Sequence, residues 1–311
     1  MDTGLFVSYK NQLQESCGRV IIGKEETIRQ IGVCLIASGH VLLEDLPGTG
    51  KTMLLRAFAK CIGGDFRRVQ FTPDILPSDL TGIHFFNQKL GEFEFRKGPL
   101  FANVVLADEI NRAVPRSQSA LLEVMEERQI SVDGETFSLE EPYIVMATQN
   151  PIESYGTFPL PEAQLDRFLM KLSLGYMTPE QEISVLRRED TRDIIEKLSV
   201  IITKEQLAAL RRAYREVEVS RDVAEYIMSI VTATRESDRL AYGVSARGSI
   251  ALYKASQITA AMEGRSFVIP EDVKREAVPV LAHRVATVSR SHIDTAELIA
   301  GLVDELPVPM E

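Results

Sequence analysis

A short segment near the start of the chain has the residues of a triphosphate-binding loop. Residues 42–52 read LLEDLPGTGKT, in which an apolar, strand-like run leads into a glycine-rich turn. The glycines would let the backbone close on phosphate, Lys51 would pair with the β and γ oxygens, and the Thr52 hydroxyl would bind Mg²⁺. The segment therefore predicts a site for ATP or ADP with Mg²⁺. The predicted contacts are Pro47, Gly48, Thr49, Gly50, Lys51, Thr52 and Met53.

Asp45 departs from the general pattern of such loops, G-x-x-x-x-G-K-[ST], because it stands where the first glycine is expected. It precedes the glycine-rich turn at the exit of the strand, so its side chain can point away from the phosphates. An ordinary strand-to-helix turn would have to contain Gly-Thr-Gly-Lys-Thr by accident. We therefore interpret the segment as a phosphate-binding loop.

A second group of polar residues ends two apolar runs further along the chain. Asp108 and Glu109 end NVVLADE, and Asn150 ends YIVMATQN. Such runs are typical of buried parallel strands, which present functional residues at their carboxyl ends. Asp108 could hold the Mg²⁺ shell while Glu109 activates a water for attack on the γ-phosphate. Asn150 could orient that water, although an Asn before Pro is more often a turn residue.

The first half of the chain alternates strand-like and helix-like segments. Apolar periodicity predicts strands at 41–44, 66–71, 103–109 and 143–150, and helices at 51–61 and 115–129. The segments 81–98 and 129–139 break this alternation and read as β-hairpins, the second with Asp133 and Gly134 at its turn. The pattern predicts an α/β core, with a parallel sheet flanked by helices and with two hairpin inserts.

From about Thr178 the pattern changes to a series of amphipathic segments. Several of them begin with Thr, Ser or Pro followed by an acidic residue, which is typical of helix N-termini. We therefore expect an all-α C-terminal domain, joined to the core by a linker at Gly175–Thr178. The predicted division is 1–175 for the nucleotide-binding core and 176–311 for a helical lid.

Composition sets the class of protein. The chain has 311 residues, is 45% hydrophobic and carries a formal charge of −10, so it can bury a core and has no overall basic field for nucleic acid or anionic lipid. Cys17, Cys34 and Cys61 are far apart in sequence, which indicates buried thiols, and His40 and His84 have no partners at metal-ligand spacing. No leader or membrane-spanning run is evident, so we expect a cytoplasmic protein.

An ordered set of motifs closely resembles the MoxR family of AAA+ ATPases over essentially the whole chain. The motifs are LPGTGKT, LADEINRA, QSALLEVMEE, ATQNPIE, GTFPLPEAQLDRF and SARG. FTPDILPSDLTG and GEFEFRKGPLFAN also resemble the family's segment between the phosphate-binding helix and the second acidic strand. The resemblance implies a P-loop AAA+ core followed by a helical lid. Many relatives have glycine where Asp45 stands, so the acid there resembles a family variant.

The resemblance also implies roles that spacing does not. Asp108 and Glu109 would be the second acidic motif, and Asn150 the first sensor. Arg167, in LDRF, would be the arginine finger that reaches a neighbouring subunit's nucleotide, and Arg247, in SARG, would be the second sensor on the lid. On the residues alone, either arginine would more often be a surface or ion-paired residue.

One further segment is assigned by the resemblance alone. Ile21, Ile22 and Gly23, in VIIGKEE, match the family segment that lies against the adenine. With the phosphate loop and the sensors, they complete the set of nucleotide contacts that the resemblance implies.

The implied function is Mg²⁺-dependent ATP hydrolysis in a homo-oligomeric ring, usually of six subunits in the family. Family members resemble chaperones that mature protein complexes or insert cofactors into them, often with partners that carry a metal-coordinating von Willebrand factor A domain. Two other classes stay open: a nucleic-acid-dependent AAA+ motor and a non-hydrolysing nucleotide-controlled scaffold. Acidic residues in both hairpins disfavour the motor, and the presence of both catalytic acids disfavours the scaffold.

Overall fold

The computed structural model describes residues 2–44, 48–149, 156–187, 191–288 and 294–309. The first half contains α1 (Gly4–Gly18), α2 (Glu25–Ile36), β1 (Val41–Glu44), α3 (Lys51–Cys61), β2 (Phe66–Gln70), α4 (Pro77–Thr81), β3 (Gly82–Asn87), β4 (Glu92–Lys97), β5 (Val104–Asp108), α5 (Pro115–Glu127), β6 (Gln129–Val132), β7 (Glu135–Ser138), β8 (Ile144–Gln149), α6 (Glu162–Leu165) and β9 (Met170–Leu172). The second half contains α7 (Pro179–Leu186), α8 (Thr191–Glu196), α9 (Lys204–Ala213), α10 (Arg221–Glu236), β10 (Leu240–Tyr242), α11 (Ala246–Met262), α12 (Pro270–Leu281), β11 (Ala286–Thr287) and α13 (Thr295–Glu305).

A five-stranded parallel sheet lies at the centre of the first half, in the order β2-β5-β8-β1-β9. Strands β5 and β8 are buried along almost their whole length, which explains why their sequences are continuous apolar runs. Because the strands are parallel, their carboxyl ends share one edge of the sheet, where Glu44, Asp108 and Gln149 lie. The predicted parallel sheet flanked by helices is confirmed.

Two antiparallel hairpins project from this core, as the sequence predicts. Strand β3 pairs with β4, and β6 pairs with β7. Asp133 and Gly134 both have positive φ, at 51° and 86°, as a two-residue turn of the favoured hand requires. The hairpins contact each other: the ring of Phe95 stacks on that of Phe137 at a centroid distance of 4.6 Å, and His84 Nδ1 lies 2.8 Å from Asp133 Oδ2.

The C-terminal half is helical, as predicted, apart from one short pair of strands that the sequence does not indicate. Strands β10 and β11 form a short antiparallel pair beside α10. Each has only two or three residues, which is too short for an alternating pattern to identify. The thiols predicted to be buried, Cys17, Cys34 and Cys61, are all buried and free.

Apolar packing joins the N-terminal helices to both halves of the molecule. One continuous cluster of buried side chains includes residues of α1, α2 and α3 together with residues of α10, α11 and α12. Within it, the Arg29 guanidinium is only 1% exposed and donates to Glu276 Oε1 of α12 at 2.5 Å and to Thr259 Oγ1 of α11 at 3.0 Å. A buried charge needs such partners, so this network fixes α2 against the C-terminal helices. None of the helices in the described ranges is long and apolar enough to span a membrane.

Candidate functional site

A cavity of about 330 Å³ lies at the carboxyl edge of the sheet, where the loop before α3 faces the ends of β5 and β8. It brings together the described residues of the phosphate loop and the two predicted acids. The lining residues are Gly48, Thr49, Gly50, Lys51, Thr52, Met53, Arg68, Asp108, Glu109, Thr148 and Gln149. Its size suits a polar ligand of moderate volume.

The glycines of the loop are required by its backbone. Gly48 and Gly50 have φ of 86° and 88°, in the left-handed region that favours glycine. A Cβ at position 50 would also lie 2.9 Å from Ile21 Cδ1. Helix α3 starts at Lys51, so the positive end of its dipole and its first N–H groups face the cavity edge. Such a helix start attracts phosphate.

Asp108 is held at both carboxylate oxygens. Thr148 Oγ1 donates to Oδ1 at 2.6 Å, and Arg68 donates to Oδ2 through Nη2 at 2.6 Å and Nε at 3.0 Å. Both oxygens of the carboxylate thus accept hydrogen bonds that fix its orientation. With the hydroxyl of Thr52 on the same cavity, these oxygens are of the type that Mg²⁺ prefers.

Glu109 occupies a strained position next to it. Its φ of 55° and ψ of 49° are left-handed, which costs a non-glycine residue about 1–3 kcal/mol. Its backbone N–H donates to Thr148 Oγ1 at 2.8 Å. Gln70 Nε2 donates to its carboxylate Oε2 at 2.7 Å, and Arg112 Nε lies 2.9 Å from the same oxygen. The backbone turn and these donors aim the carboxylate at the cavity.

Arg68, Gln70, Arg112 and Thr148 were not singled out by the sequence motifs. Arg68 and Gln70 are two residues apart on β2, so their side chains lie on the same face of the strand. The register of β2 places Gln70 opposite Asp108. The signal that could have found them is the polar alternation of FRRVQF, read together with the expectation that β2 lies beside β5. That pairing is not specified by the sequence of β2 itself.

The segment assigned to the adenine lies partly near this cavity. Ile21 Cδ1 lies close to the loop, since a Cβ at Gly50 would be 2.9 Å from it. Gly23 has a φ of 71°, and a Cβ there would clash with the Gln181 side chain at 1.9 Å. Lys24 Nζ donates to the Tyr176 carbonyl at 2.9 Å, so residues 21–24 connect the loop to the start of the C-terminal half. Ile22 is half-buried, and none of Ile21, Ile22 and Gly23 is among the described residues that line the cavity.

Known proteins resemble this chain in sequence and in structure. Residues 40–170 match the model of the "ATPase family associated with various cellular activities (AAA)", and residues 232–301 match the AAA lid domain. Chaperone MoxR1 of Mycobacterium tuberculosis (strain ATCC 25618 / H37Rv) is 41% identical over 86% of this chain and 73% of its own length. The chain belongs to the MoxR family of AAA+ ATPases. It is thus an ATPase with an AAA core and a helical lid.

Two further comparisons extend over most of the chain. The uncharacterized protein YeaC of Bacillus subtilis (strain 168) is 51% identical over 87% of this chain and 85% of its own length. A crystal structure of a candidate ATPase from Cytophaga hutchinsonii ATCC 33406 has a TM-score of 0.90 and 37% identity, and covers 98% of this chain and 97% of its own. The fold of this MoxR-family ATPase is therefore shared with a solved structure over nearly its full length.

The two arginines assigned by the family resemblance lie close to each other, and neither lines the cavity. Arg167 Nε is 3.1 Å from Glu126 Oε2, and Arg247 Nη2 is 2.7 Å from Glu126 Oε1. Neither arginine is among the described residues that line the cavity. In this MoxR-family chain, the expected finger and second sensor form one cluster on Glu126.

Three residues of the sequence analysis lie outside the described residues: Asp45, Pro47 and Asn150. His40 and His84, in contrast, are described. His40 Nε2 and Nδ1 contact the backbone of Met125 and Val145, and His84 contacts Asp133. No cluster of three or more His, Cys, Asp or Glu side chains with metal-site geometry occurs in the described part of this MoxR-family chain.

Proposed function

We propose that this MoxR-family ATPase binds ATP with Mg²⁺ in the cavity at the carboxyl edge of the sheet and hydrolyses it there. The observation that carries the proposal is that the phosphate loop and both acids, Asp108 and Glu109, line the same cavity. The helix start and the ammonium of Lys51 would bind the triphosphate charge. Thr52 and Asp108 would hold Mg²⁺, which when bound would neutralise charge on the β- and γ-phosphates.

Glu109 is the proposed general base. Gln70 and Arg112 both contact Oε2. That arrangement orients the carboxylate so that Oε1 would accept the proton of the attacking water. Asn150 is proposed to orient that water, by family resemblance. The nearness of the Ile21 side chain to Gly50 supports a nucleotide that extends from the loop toward the Ile21–Gly23 segment.

Two substitutions test the assignment. We expect Lys51→Ala to lose binding of a fluorescent ATP analogue, because charge-assisted contacts to phosphate are among the strongest polar contacts. We expect Glu109→Gln to keep binding and lose hydrolysis, since the amide preserves shape but cannot take the proton. Binding is measured by fluorescence titration, turnover by phosphate release, and folding by circular dichroism. Tight binding by Lys51→Ala, or unchanged turnover by Glu109→Gln, would contradict the proposal.

We further propose that hydrolysis drives remodelling or maturation of a partner protein complex, including the insertion of a cofactor or metal, by a homo-oligomeric, hexameric ring. The name of the relative, Chaperone MoxR1, supports a chaperone role. A ring is supported by the family's arginine finger, which acts on a neighbouring subunit. The resemblance also suggests a client reached through a von Willebrand factor A domain partner.

The hairpins offer a surface for such a client. The side chains of Phe86 and Phe93 are 52% and 71% exposed at the tip of the first hairpin. Exposed aromatic side chains of this kind are typical of protein contacts. Capture of partner proteins by the ATP-bound Glu109→Gln variant, with Lys51→Ala as the matched control, would identify the client. A captured set that is identical for the two variants would contradict a nucleotide-dependent client interaction.

A further inference from the structure

Glu126 is the shared partner of two arginines from different parts of the chain. Its Oε2 lies 3.1 Å from Arg167 Nε, and its Oε1 accepts from Arg247 Nη2 at 2.7 Å. Arg167 directly precedes the buried Phe168 before β9, and Arg247 is in the first turn of α11 in the C-terminal half. Each carboxylate oxygen therefore holds one guanidinium.

Two of these charged residues, Glu126 and Arg247, lie at helix ends whose dipoles disfavour them. Glu126 is in the last turn of α5, where the helix dipole disfavours an acid, and Arg247 is in the first turn of α11, where it disfavours a base. The two guanidiniums would also repel each other without the carboxylate between them. Glu126 and Arg247 are thus each disfavoured by the dipole of their own helix, and the carboxylate lies between the two guanidiniums.

Stability does not account for the arrangement. The side chains of Glu126, Arg167 and Arg247 are 37%, 31% and 50% exposed. Ion pairs with that exposure to water contribute little to folding. A cluster that contributes little to folding, and that holds two arginines away from the cavity of their own chain, points to a role toward a ligand outside the subunit.

The residue next to Arg167 ties the same turn to the C-terminal helices. Asp166 Oδ1 accepts from Arg284 Nε at 2.7 Å, and Asp166 Oδ2 accepts from the hydroxyl of Ser245 at 3.0 Å. Ser245 is the N-cap of α11, the helix that carries Arg247. Movement of α11 would therefore shift both the turn that carries Arg167 and the second arginine on Glu126.

We propose that Glu126 is a positioning residue that holds Arg167 and Arg247 as one unit, presented together to the nucleotide of a neighbouring subunit. This inference rests on the proposed ATPase ring. The ligand of the unit is the triphosphate of the adjacent copy of the chain, whose negative charge suits paired guanidiniums. Contacts from the same turn to α11 make the unit follow the helical lid of its own subunit.

The first test is kinetic. Glu126→Gln keeps the size of the side chain and removes its charge, and Glu127→Gln is the matched control on the same helix turn. We expect Glu126→Gln to lower kcat on the order of ten- to hundredfold, as misplaced catalytic groups do, with the KM for ATP and the Kd of a fluorescent ATP analogue nearly unchanged. Glu127→Gln should match the wild type. Unchanged turnover, or faster turnover that marks Glu126 as inhibitory, would overturn the proposal.

The second test asks whether Glu126 acts through the arginines. In a chain that already carries Arg167→Ala and Arg247→Ala, adding Glu126→Gln should change turnover no further, because the groups that it positions are gone. A further loss equal to that in the wild-type background would mean that Glu126 acts elsewhere. This comparison does not depend on how large the single effects are.

The third test asks whether Glu126→Gln impairs the site of the neighbouring subunit. Subunits with Glu126→Gln are mixed with Lys51→Ala subunits, which carry an intact Glu126 but cannot bind ATP. Turnover should partly recover, because a competent site then lies beside an intact arginine unit. No recovery in demonstrated mixed assemblies would overturn the proposal. Failure of the ATPase assignment itself has a different signature, namely hydrolysis that survives Lys51→Ala or Glu109→Gln.

Discussion

At the scale of single residues, Gln70 is the group whose role is most directly testable. Its amide donates to Glu109 Oε2 at 2.7 Å from the neighbouring strand. We expect Gln70→Leu to lower kcat on the order of tenfold while ATP binding is kept, because the carboxylate loses one of the donors that orient it. Steady-state phosphate release and nucleotide titration measure the two quantities.

Arg67→Leu provides the control for this substitution. Arg67 lies on the same strand, but its exposed side chain makes no hydrogen bond or ion pair to Glu109 in the described contacts. Because side chains alternate between the faces of a strand, its replacement should leave turnover unchanged. If Gln70→Leu and Arg67→Leu reduce kcat equally, the effect comes from the strand and not from the hydrogen bond to Glu109.

His40 makes stability depend on pH. It is buried, with Nε2 3.0 Å from the Met125 carbonyl oxygen and Nδ1 accepting from the Val145 N–H at 3.0 Å. These partners fit the neutral ring. Burial, with a smaller contribution from Arg128, lowers the pKa of His40 from its usual 6.5 to about 4. The pKa of His283, which is also buried and lies beside Arg284, is lowered as well.

The direction in which stability changes with pH follows from proton uptake by the folded and unfolded chains. As pH falls through 6.5, the unfolded chain takes up a proton on His40 before the folded chain does, so stability present above pH 6.5 is lost toward pH 4. The expected slope from His40 is at most about 1.4 kcal/mol in the free energy of unfolding per pH unit. Urea unfolding at several pH values measures it. His40→Asn should reduce the slope, and an unchanged slope would contradict this account.

At the scale of secondary structure, the sequence predicts what depends on local pattern. Strands β1, β2, β5 and β8, helices α3 and α5 and both hairpins lie where apolar periodicity and turn residues indicate. Helices α1 and α2 and strand β9 were not predicted. Helix α2 is buried on nearly all sides, so it has no polar face to reveal it, and β9 has only three residues. Their positions depend on tertiary contacts that the local sequence does not record.

The sequence likewise predicts some features of the candidate site and not others. Lys51, Thr52, Asp108 and Glu109 belong to motifs whose strands converge at one sheet edge, so their meeting at one cavity follows from the topology. The link between Arg167, Arg247 and Glu126 joins residues far apart in the chain. No spacing rule encodes such a contact, and family resemblance supplied the two arginines but not the acid.

The charges of the two hairpins bear on the alternative of a nucleic-acid motor. Residues 82–97 and 129–138 together hold the basic residues Lys89, Arg96 and Lys97 and the acidic residues Glu92, Glu94, Asp133 and Glu135. Without an excess of positive charge, contact with phosphates releases few counterions. We therefore expect neither single- nor double-stranded DNA to bind at physiological salt or to stimulate ATPase activity. Stimulation that weakens steeply with added salt would favour the motor.

At the scale of the whole molecule, the phosphate loop and the arginine pair are separate features of one subunit. The loop lies at the carboxyl edge of the sheet, whereas Arg167 and Arg247 meet on Glu126 at the end of α5. Buried contacts from α2 to α11 and α12 connect the N-terminal helices with the C-terminal half. In the proposed function, such a subunit would bind nucleotide at the loop and would present its arginines to the site of a neighbour, as a head-to-tail ring requires.

Replacement of Arg167 tests whether one subunit takes part in catalysis at its neighbour's site. A finger neutralises charge that develops on the transferred phosphoryl group. Arg167→Ala should therefore bind ATP normally, still assemble, and hydrolyse on the order of 10³-fold more slowly. Fluorescence titration, light scattering and phosphate release measure these three properties. Arg19→Ala is the control, since Arg19 pairs only with the exposed Glu15 in the described contacts, and it should have no effect on turnover.

Mixing the inactive variants separates action between subunits from action within one. Arg167→Ala and Lys51→Ala are each expected to be nearly inactive alone. When their subunits exchange, an Arg167→Ala subunit with a competent phosphate loop can lie beside a Lys51→Ala subunit with an intact finger, so hydrolysis should partly recover. The recovery should rise and fall with the mixing ratio, because only mixed neighbours form a complete site. If mixed assemblies form and activity does not return, Arg167 works within its own chain and the main reason for proposing a ring is removed.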